Sequence, residues 1–359
     1  MRANIGFYIH HHGSGHVMRC IAISKALTGC SITFLGSKLG QYKNLIPADI
    51  NCIDLPLDTP VSDDEDHLGD NPVDCLHYAP LNVSGLRKRN LLLTRFFSDT
   101  YPLLLIVDVS VEVTLLARLC GVPTMVTRQH GNRNDLPHLS AYKSASALLA
   151  PYPQWMEAPQ DAWLLRKTIY TGGFSRYVDR PLDSSLETPY RVAILTGAGG
   201  TSIDLGFVRH LGMSCKKWTF EIIGLPVQDS HDVPANVHLH GLLEDPFDLL
   251  IQCKIVIGNA GHNTVMEMAT LKKRFIVIPE TRPFDEQMEK ASILSEMGLA
   301  VCVKPEKFYH TDWDIILSSI IIKQPDWKDT VDPDALINAA TAIKMTYRSC
   351  FQNSIGITT

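Results

Sequence analysis

The sequence predicts an α/β chain of two tandem Rossmann-like domains, each a parallel sheet covered by helices, facing each other across a cleft. Three observations carry this. Short apolar runs alternate with longer amphipathic ones, the pattern of strands buried on both faces between helices. The alternation pauses at "YTGGFSRYVDRPLDSSLETPY" (170–190), rich in Gly, Pro and Ser, and then starts again. Each half opens with a strand followed by a glycine turn.

Taken in order, the strand candidates of the first half are "IGFYI", "SITFLG", "LLLIVDV" and "PTMVTR". Helices such as "HVMRCIAISKAL" and "VEVTLLARLCG", with the 3.6-residue apolar spacing, lie between them. Segment 57–90, with "SDDEDHLGD", fits no sheet pattern and reads as a long connection, a kind of segment that is often functional. The second half offers "YRVAILTG", "KWTFEIIG", "NVHLHG", "KIVIGN" and "RFIVIPE" as strands. The expected division is a first domain at 1–175, a second at 176–332, and a terminal helix with its tail at 333–359, placed to pack back across the first domain.

At 359 residues the chain can bury two cores, and 45% hydrophobic with 20% charged residues is ordinary for a globular protein. A formal charge of −5 gives no reason to expect a nucleic-acid partner. The nine cysteines are scattered and never form C-x-x-C, which argues against a disulfide framework or a zinc ribbon and for a reducing cytoplasm. No signal-peptide pattern precedes the first strand, and no apolar run approaches the ~18 residues of a spanning helix. The stretch "GLRKRNLLLTRFF" (85–97) sets Arg87, Lys88, Arg89 and Arg95 among Leu and Phe. It reads either as a helix with a solvated basic face or as a peripheral contact with the inner face of a membrane.

The first glycine turn, in "HHHGSGHVMRC" (10–20), begins like a dinucleotide fingerprint but has Met18 in place of the third glycine. The second, 197–202, has Ser202 there. Neither completes G-x-G-x-x-G, so no nicotinamide or flavin cofactor is expected. Both still let backbone N–H groups approach a phosphate. In the third, "KIVIGNAGHNTVMEMATLKKRFIVIPETRPFDEQ", a strand ends at Gly258, a loop with Gly261 follows, and a helix starts near His262 to Thr264. Such a helix start and the Thr264 hydroxyl suit a diphosphate. Glu267, one turn further in, suits the two hydroxyls of a ribose. After the next strand come Asp285, Glu286 and Gln287, at a strand end where sugar-binding groups belong.

On the strength of "GNAGHNTVMEMA…IPETRPFDEQ", "GSGHVMR", "CGVPTMVTRQHGNRNDL" and "YTGGFSR", the chain resembles the GT-B glycosyltransferases, especially family 28. The resemblance implies a nucleoside diphosphate sugar, with UDP as the nucleotide, bound by the second domain. The implied donor ligands are Arg176, Gly199, Gly200, Gly261, Asn263, Thr264, Glu267, Glu286 and Gln287. Glu289 stands near a position where the family often has Asn. "GSGHVMRC" is also similar to the opening of a nucleotide-sugar hydrolase of the same fold. The implied mechanism is inverting and metal-independent, with His16 as the base that deprotonates an acceptor hydroxyl. His10, His12, Gly13, Gly15, Asp108 and His130 are the acceptor-side candidates, and the acceptor is expected to be lipid-linked or a glycan. Asp108, ending "LLLIVD", either orients a histidine from a neighbouring strand end or caps the next helix. A zinc site made of His10, His12 and His130 has no spacing signal behind it, and no metal site is expected. Beside the transferase stand two alternatives, a hydrolase that uses water and a non-catalytic sugar-nucleotide-binding partner.

Overall fold

The computed structural model describes residues 2–11, 14–68, 73–197 and 200–351. The first domain contains β1 (Ala3–Ile9), α1 (Ser14–Ala26), β2 (Cys30–Gly36), β3 (Asn51–Asp54), α2 (Ser84–Asp99) and β4 (Leu103–Asp108). It continues with α3 (Val111–Leu119), β5 (Thr124–Thr127), α4 (Leu136–Ser144), β6 (Ala147–Ala150), α5 (Ala162–Lys167) and β7 (Thr168–Tyr170). The second contains β8 (Thr188–Leu195), α6 (Leu205–Ser214), β9 (Thr219–Ile223), β10 (Val237–Leu239), α7 (Phe247–Gln252) and β11 (Cys253–Asn259). It is completed by α8 (His262–Thr270), β12 (Arg274–Ile278), α9 (Glu286–Glu296), β13 (Ala300–Cys302) and α10 (Trp313–Ile320). Last comes α11 (Ala335–Phe351).

The strands pair in parallel in two sheets, ordered β3-β2-β1-β4-β5-β6-β7 and β10-β9-β8-β11-β12-β13. Every residue of β4, β5, β6 and β12 is buried, as expected of parallel strands covered on both faces. The period of two divides them between cores. Leu104 and Ile106 pack with α1, while Leu103, Leu105 and Val107 pack with α2 and α3. The terminal helix α11 returns to the first domain, where Ala339, Ala340 and Ile343 join the core of Phe7, Val17 and Ile21.

In the first sheet the strand order reverses between β1 and β4, and in the second between β8 and β11. Parallel α/β sheets bind ligands outside the carboxyl ends of their strands at such a reversal. The loops that carry the glycine turns leave β1, β8 and β11, so the topology gathers all three at the cleft.

The connection after β3 runs through residues 55–83 before α2 begins. Segment 85–97 lies within α2, whose buried residues are Arg89, Leu93 and Phe97. Arg89 therefore does not belong to the exposed basic face. It donates to Pro56 O and Ser37 Oγ at 2.7 Å each, and to Tyr8 Oη. Arg87, Lys88 and Arg95 stay exposed beside Leu91.

Candidate active site

His16 enters the site because α1 starts immediately after the first glycine turn. Its Nδ1 lies 3.0 Å from Asp108 Oδ2, at the end of the adjacent strand β4, where Ile9 and Asp108 are register partners. Arg19, one helical turn on from His16, pairs with Asp108 Oδ1 and approaches Nδ1 at 3.1 Å. Burial pushes the Asp108 carboxyl up, but Arg19 and His16 beside it outweigh that and hold it down to about 2. An ionised carboxylate only accepts and a guanidinium only donates; with Arg19 already paired to Asp108 Oδ1, the 3.0 Å contact to Oδ2 favours the Nδ1–H tautomer, which leaves Nε2 as the basic nitrogen. His16 is 18% exposed and Asp108 1%.

This geometry corrects the place of Asp108. It is buried beneath His16 rather than on the acceptor wall, and it does not cap α3, whose cap is Ser110 Oγ, accepting from Val113 N at 3.2 Å. Val109, next in the chain, holds φ of 65°, a strained angle for a β-branched residue. His130 is corrected as well. It is buried, its Nε2 is 3.0 Å from Met156 O and its ring lies against Tyr152, so it does not face an acceptor. Burial, then the nearby Lys290, keeps its imidazole neutral. His10 meets His16 edge to face, with ring centroids 5.7 Å apart. His12 and Gly13 lie outside the described residues.

The second domain supplies the opposite wall. The helix α8 begins after Gly261, which has no side chain to cap it, so its first-turn N–H groups face the cleft uncapped by side chains. A Cβ at Gly15 would lie 3.3 Å from Asn263 Nδ2, so the helix starts of α1 and α8 meet across the cleft. Thr264 Oγ1 and Gly261 N both point to Asn259 Oδ1, at 3.4 and 2.9 Å. Glu267 accepts from Arg176 Nε at 2.9 Å, and burial pushes its carboxyl up against that pairing. Arg176 also donates to Glu244 O at 2.8 Å, so here it braces the ribose candidate rather than standing open toward a phosphate. Gly200 has φ of 90°, and its carbonyl accepts from Arg282 at 2.6 Å. Gly199 lies outside the described residues.

Gln287 commits its side-chain oxygen to the backbone. It is buried, and its Oε1 accepts from Ala260 N at 3.2 Å and Glu280 N at 3.0 Å, fixing the ends of β11 and β12. Glu286, at the first turn of α9, sits 3.5 Å from Arg133 and 3.6 Å from Lys290. Lys290 is fully buried with no hydrogen-bond partner among the described residues. The two domains are tied here. Glu289 accepts from Gly131 N at 2.8 Å and Phe284 O from Asn132 N at 2.7 Å.

A cavity of about 1080 Å³ opens beside His16. It lies between α2, α3, α4 and the start of α9. Sequence reasoning missed several polar groups at its rim. Among the described residues, His77, Asp135 and His138 bring ligand-type atoms together, within 4.8 Å of one another. The bonds they already make argue for a relay rather than a cation site. Arg133 Nη1 stands 3.1 Å from His138 Nε2, and a guanidinium can only donate, so Nε2 accepts and Nδ1 carries the proton toward Asp135 at 2.6 Å. A cation at Nδ1 would drive that proton to Nε2, against Arg133.

Residues 247–311 match the glycosyltransferase family 28 C-terminal domain. An uncharacterized glycosyltransferase of Methanosarcina acetivorans is 24% identical over 196 residues, which are 53% of this chain and 50% of that protein. The chain thus spans half the length of that relative. The UDP-N-acetylglucosamine–N-acetylmuramyl-(pentapeptide) pyrophosphoryl-undecaprenol N-acetylglucosamine transferase of Prochlorococcus marinus is 22% identical over 313 residues, 82% of this chain and 80% of that one. The crystal structure of MurG from Acinetobacter baumannii superposes with a TM-score of 0.65 at 17% identity, covering 95% of this chain and 99% of that one. Matched segment, relatives and superposition agree: the chain has the two-domain GT-B fold, and residues 247–311 of its second domain match the glycosyltransferase family 28 C-terminal domain.

Proposed function

We propose that the protein transfers a sugar from a nucleoside diphosphate donor, a UDP-sugar, to an acceptor hydroxyl with inversion at the anomeric carbon. The observation that carries the reading is the His16–Asp108 pair at the β1/β4 reversal, facing the uncapped start of α8. In this mechanism Asp108 holds His16 Nδ1–H, and Nε2 takes the proton of the attacking hydroxyl. The α8 N–H groups and Thr264 meet the charge that develops on the leaving diphosphate. Glu267 takes the ribose hydroxyls, and attack from the face opposite the diphosphate inverts configuration. The donor named for the Prochlorococcus marinus relative supports UDP as the nucleotide. The cavity beside His16 favours transfer to an acceptor over hydrolysis, because water needs no such space.

The test is nucleoside diphosphate release from a panel of UDP- and dTDP-sugars, in EDTA, with and without acceptor, for the wild type, His16→Ala and Glu267→Ala. Acceptor-dependent release that His16→Ala abolishes supports the reading. Fast release with water alone would make the protein a hydrolase. Donor binding without release under any condition would make it a non-catalytic partner.

A further inference from the structure

We infer that the acceptor is a largely apolar, ring-containing alcohol or phenol held whole in the cavity beside His16, not a glycan and not a lipid diphosphate. The inference rests on the transferase reading and specifies its second substrate. The size fits, since about 1080 Å³ is at the upper end of pockets that enclose a drug-sized ligand. The chemistry of the lining decides the class.

The deep walls are side chains of α3 and its neighbours, among them Val111, Leu115, Leu116 and Val126, with the rings of Tyr142 and Phe284. A glycan needs polar groups along its whole length, because each buried hydroxyl left unpaired is penalised. Here the Glu112 carboxylate and the guanidinium groups of Arg89 and Arg133 are already paired within the protein, and His16 stands beside the run of apolar side chains from α3. That lining suits a molecule with one hydroxyl directed at Nε2 of His16 and an apolar body behind it.

A diphosphate would need cations or N–H groups directed into the cavity. The three guanidinium groups of the lining are already engaged by protein acceptors. Arg89 holds Tyr8, Ser37 and Pro56 O. Arg133 donates to His130 O at 3.1 Å and Gln129 Oε1 at 2.9 Å, besides its approach to His138. Arg282 donates to Thr281 O at 3.0 Å and Gly200 O at 2.6 Å. Asp58, Glu112 and Glu286 add negative charge to the same lining, which repels an anion.

The segment that closes the cavity is itself pinned. Glu112 Oε1 accepts from His77 N at 2.8 Å and from Tyr78 N at 3.0 Å, and His77 Nε2 lies 2.9 Å from Asp135. Residues 76–79 therefore form a fixed wall of a built pocket.

The experiment measures binding of three probes to the full chain by calorimetry: 4-methylumbelliferone, geranyl diphosphate and chitobiose. UDP binding is measured separately, and mass spectrometry follows transfer to each probe from UDP-sugars. Binding and glycosylation of 4-methylumbelliferone in preference to the other two is expected. Ala79→Trp, which fills the cavity from a partly exposed loop, should weaken that binding at least about tenfold while UDP binding stays unchanged. Preference for geranyl diphosphate or chitobiose, or no binding of 4-methylumbelliferone by a protein that binds UDP, overturns the acceptor class and leaves the transferase reading intact. Failure to bind UDP overturns that reading, and the acceptor assignment with it. Should Ala79→Trp fail to fold, 4-methylumbelliferone competing with UDP instead of binding alongside it would place the probe in the donor site and overturn the inference.

Discussion

Asp108→Asn tests whether a single carboxylate both stabilises the first domain and orients His16. The substitution preserves volume but removes the charge that faces Arg19, which is 6% exposed and has its Nε without a hydrogen-bond partner among the described residues. The carboxyl is held at about 2 against an ordinary 3.8, which is worth about 2 kcal/mol of stability above the unfolded pKa. Orphaning a buried partner costs about 3–5 kcal/mol. The two figures together place the loss near 3 kcal/mol, and the fall in Tm on the order of 10 °C for a domain of this size. The pH dependence has a definite sign. A depressed carboxyl stabilises above its unfolded pKa, so wild-type stability should drop between about pH 4 and 2, a component that Asp108→Asn lacks. Adding Arg19→Met to Asp108→Asn removes the orphaned cation and should recover most of the stability. Turnover should stay at least about a hundredfold low, since the base is still misoriented. Urea denaturation and nucleoside diphosphate release read the two effects separately. A double variant no more stable than Asp108→Asn would refute the charge argument, and one that regains wild-type turnover would refute the positioning of His16.

Glu267→Gln should weaken UDP binding about tenfold or more by calorimetry, because a charged acceptor of the ribose hydroxyls becomes a neutral one; unchanged affinity would remove Glu267 from the donor site. Gly131→Ala places a Cβ 2.4 Å from Phe284 O at φ of 104°, so a loss of about 1–2 kcal/mol in urea titration and a looser domain contact in small-angle scattering are expected. Lys290→Met should raise Tm, since it removes a buried ammonium while Arg133 still partners Glu286. Burial lowers the Lys290 amine from 10.5, so the margin of Lys290→Met over the wild type should shrink as pH rises toward 10.5; a constant margin in melts across that range would show that the folded amine binds its proton as the unfolded one does, and would refute the burial argument.

The fold was legible because each strand carries its own signal: "LLLIVD" and "RFIVI" are short apolar runs that need both faces covered, whatever lies beside them. The glycine turns marked the cleft for the same local reason. What could not be read locally was which polar residue faces another. Asp108 ends a buried strand, and whether it caps the next helix or turns to His16 depends on β4 lying beside β1, a neighbour 99 positions away in register. His130 and Gln287 resemble site ligands by position, yet both are buried by contacts between distant segments, with Met156 O in one case and with the ends of β11 and β12 in the other. Arg89 was recoverable, for it shares the i, i+4, i+8 stripe of Leu93 and Phe97, and a cation on an apolar stripe must find buried acceptors. Arg19 gave the same kind of signal one turn after His16. Periodicity therefore locates a buried charge even where it cannot name the partner, and in this chain both such arginines support the walls of the cleft: Arg19 beneath the base, and Arg89 beneath the cavity beside it.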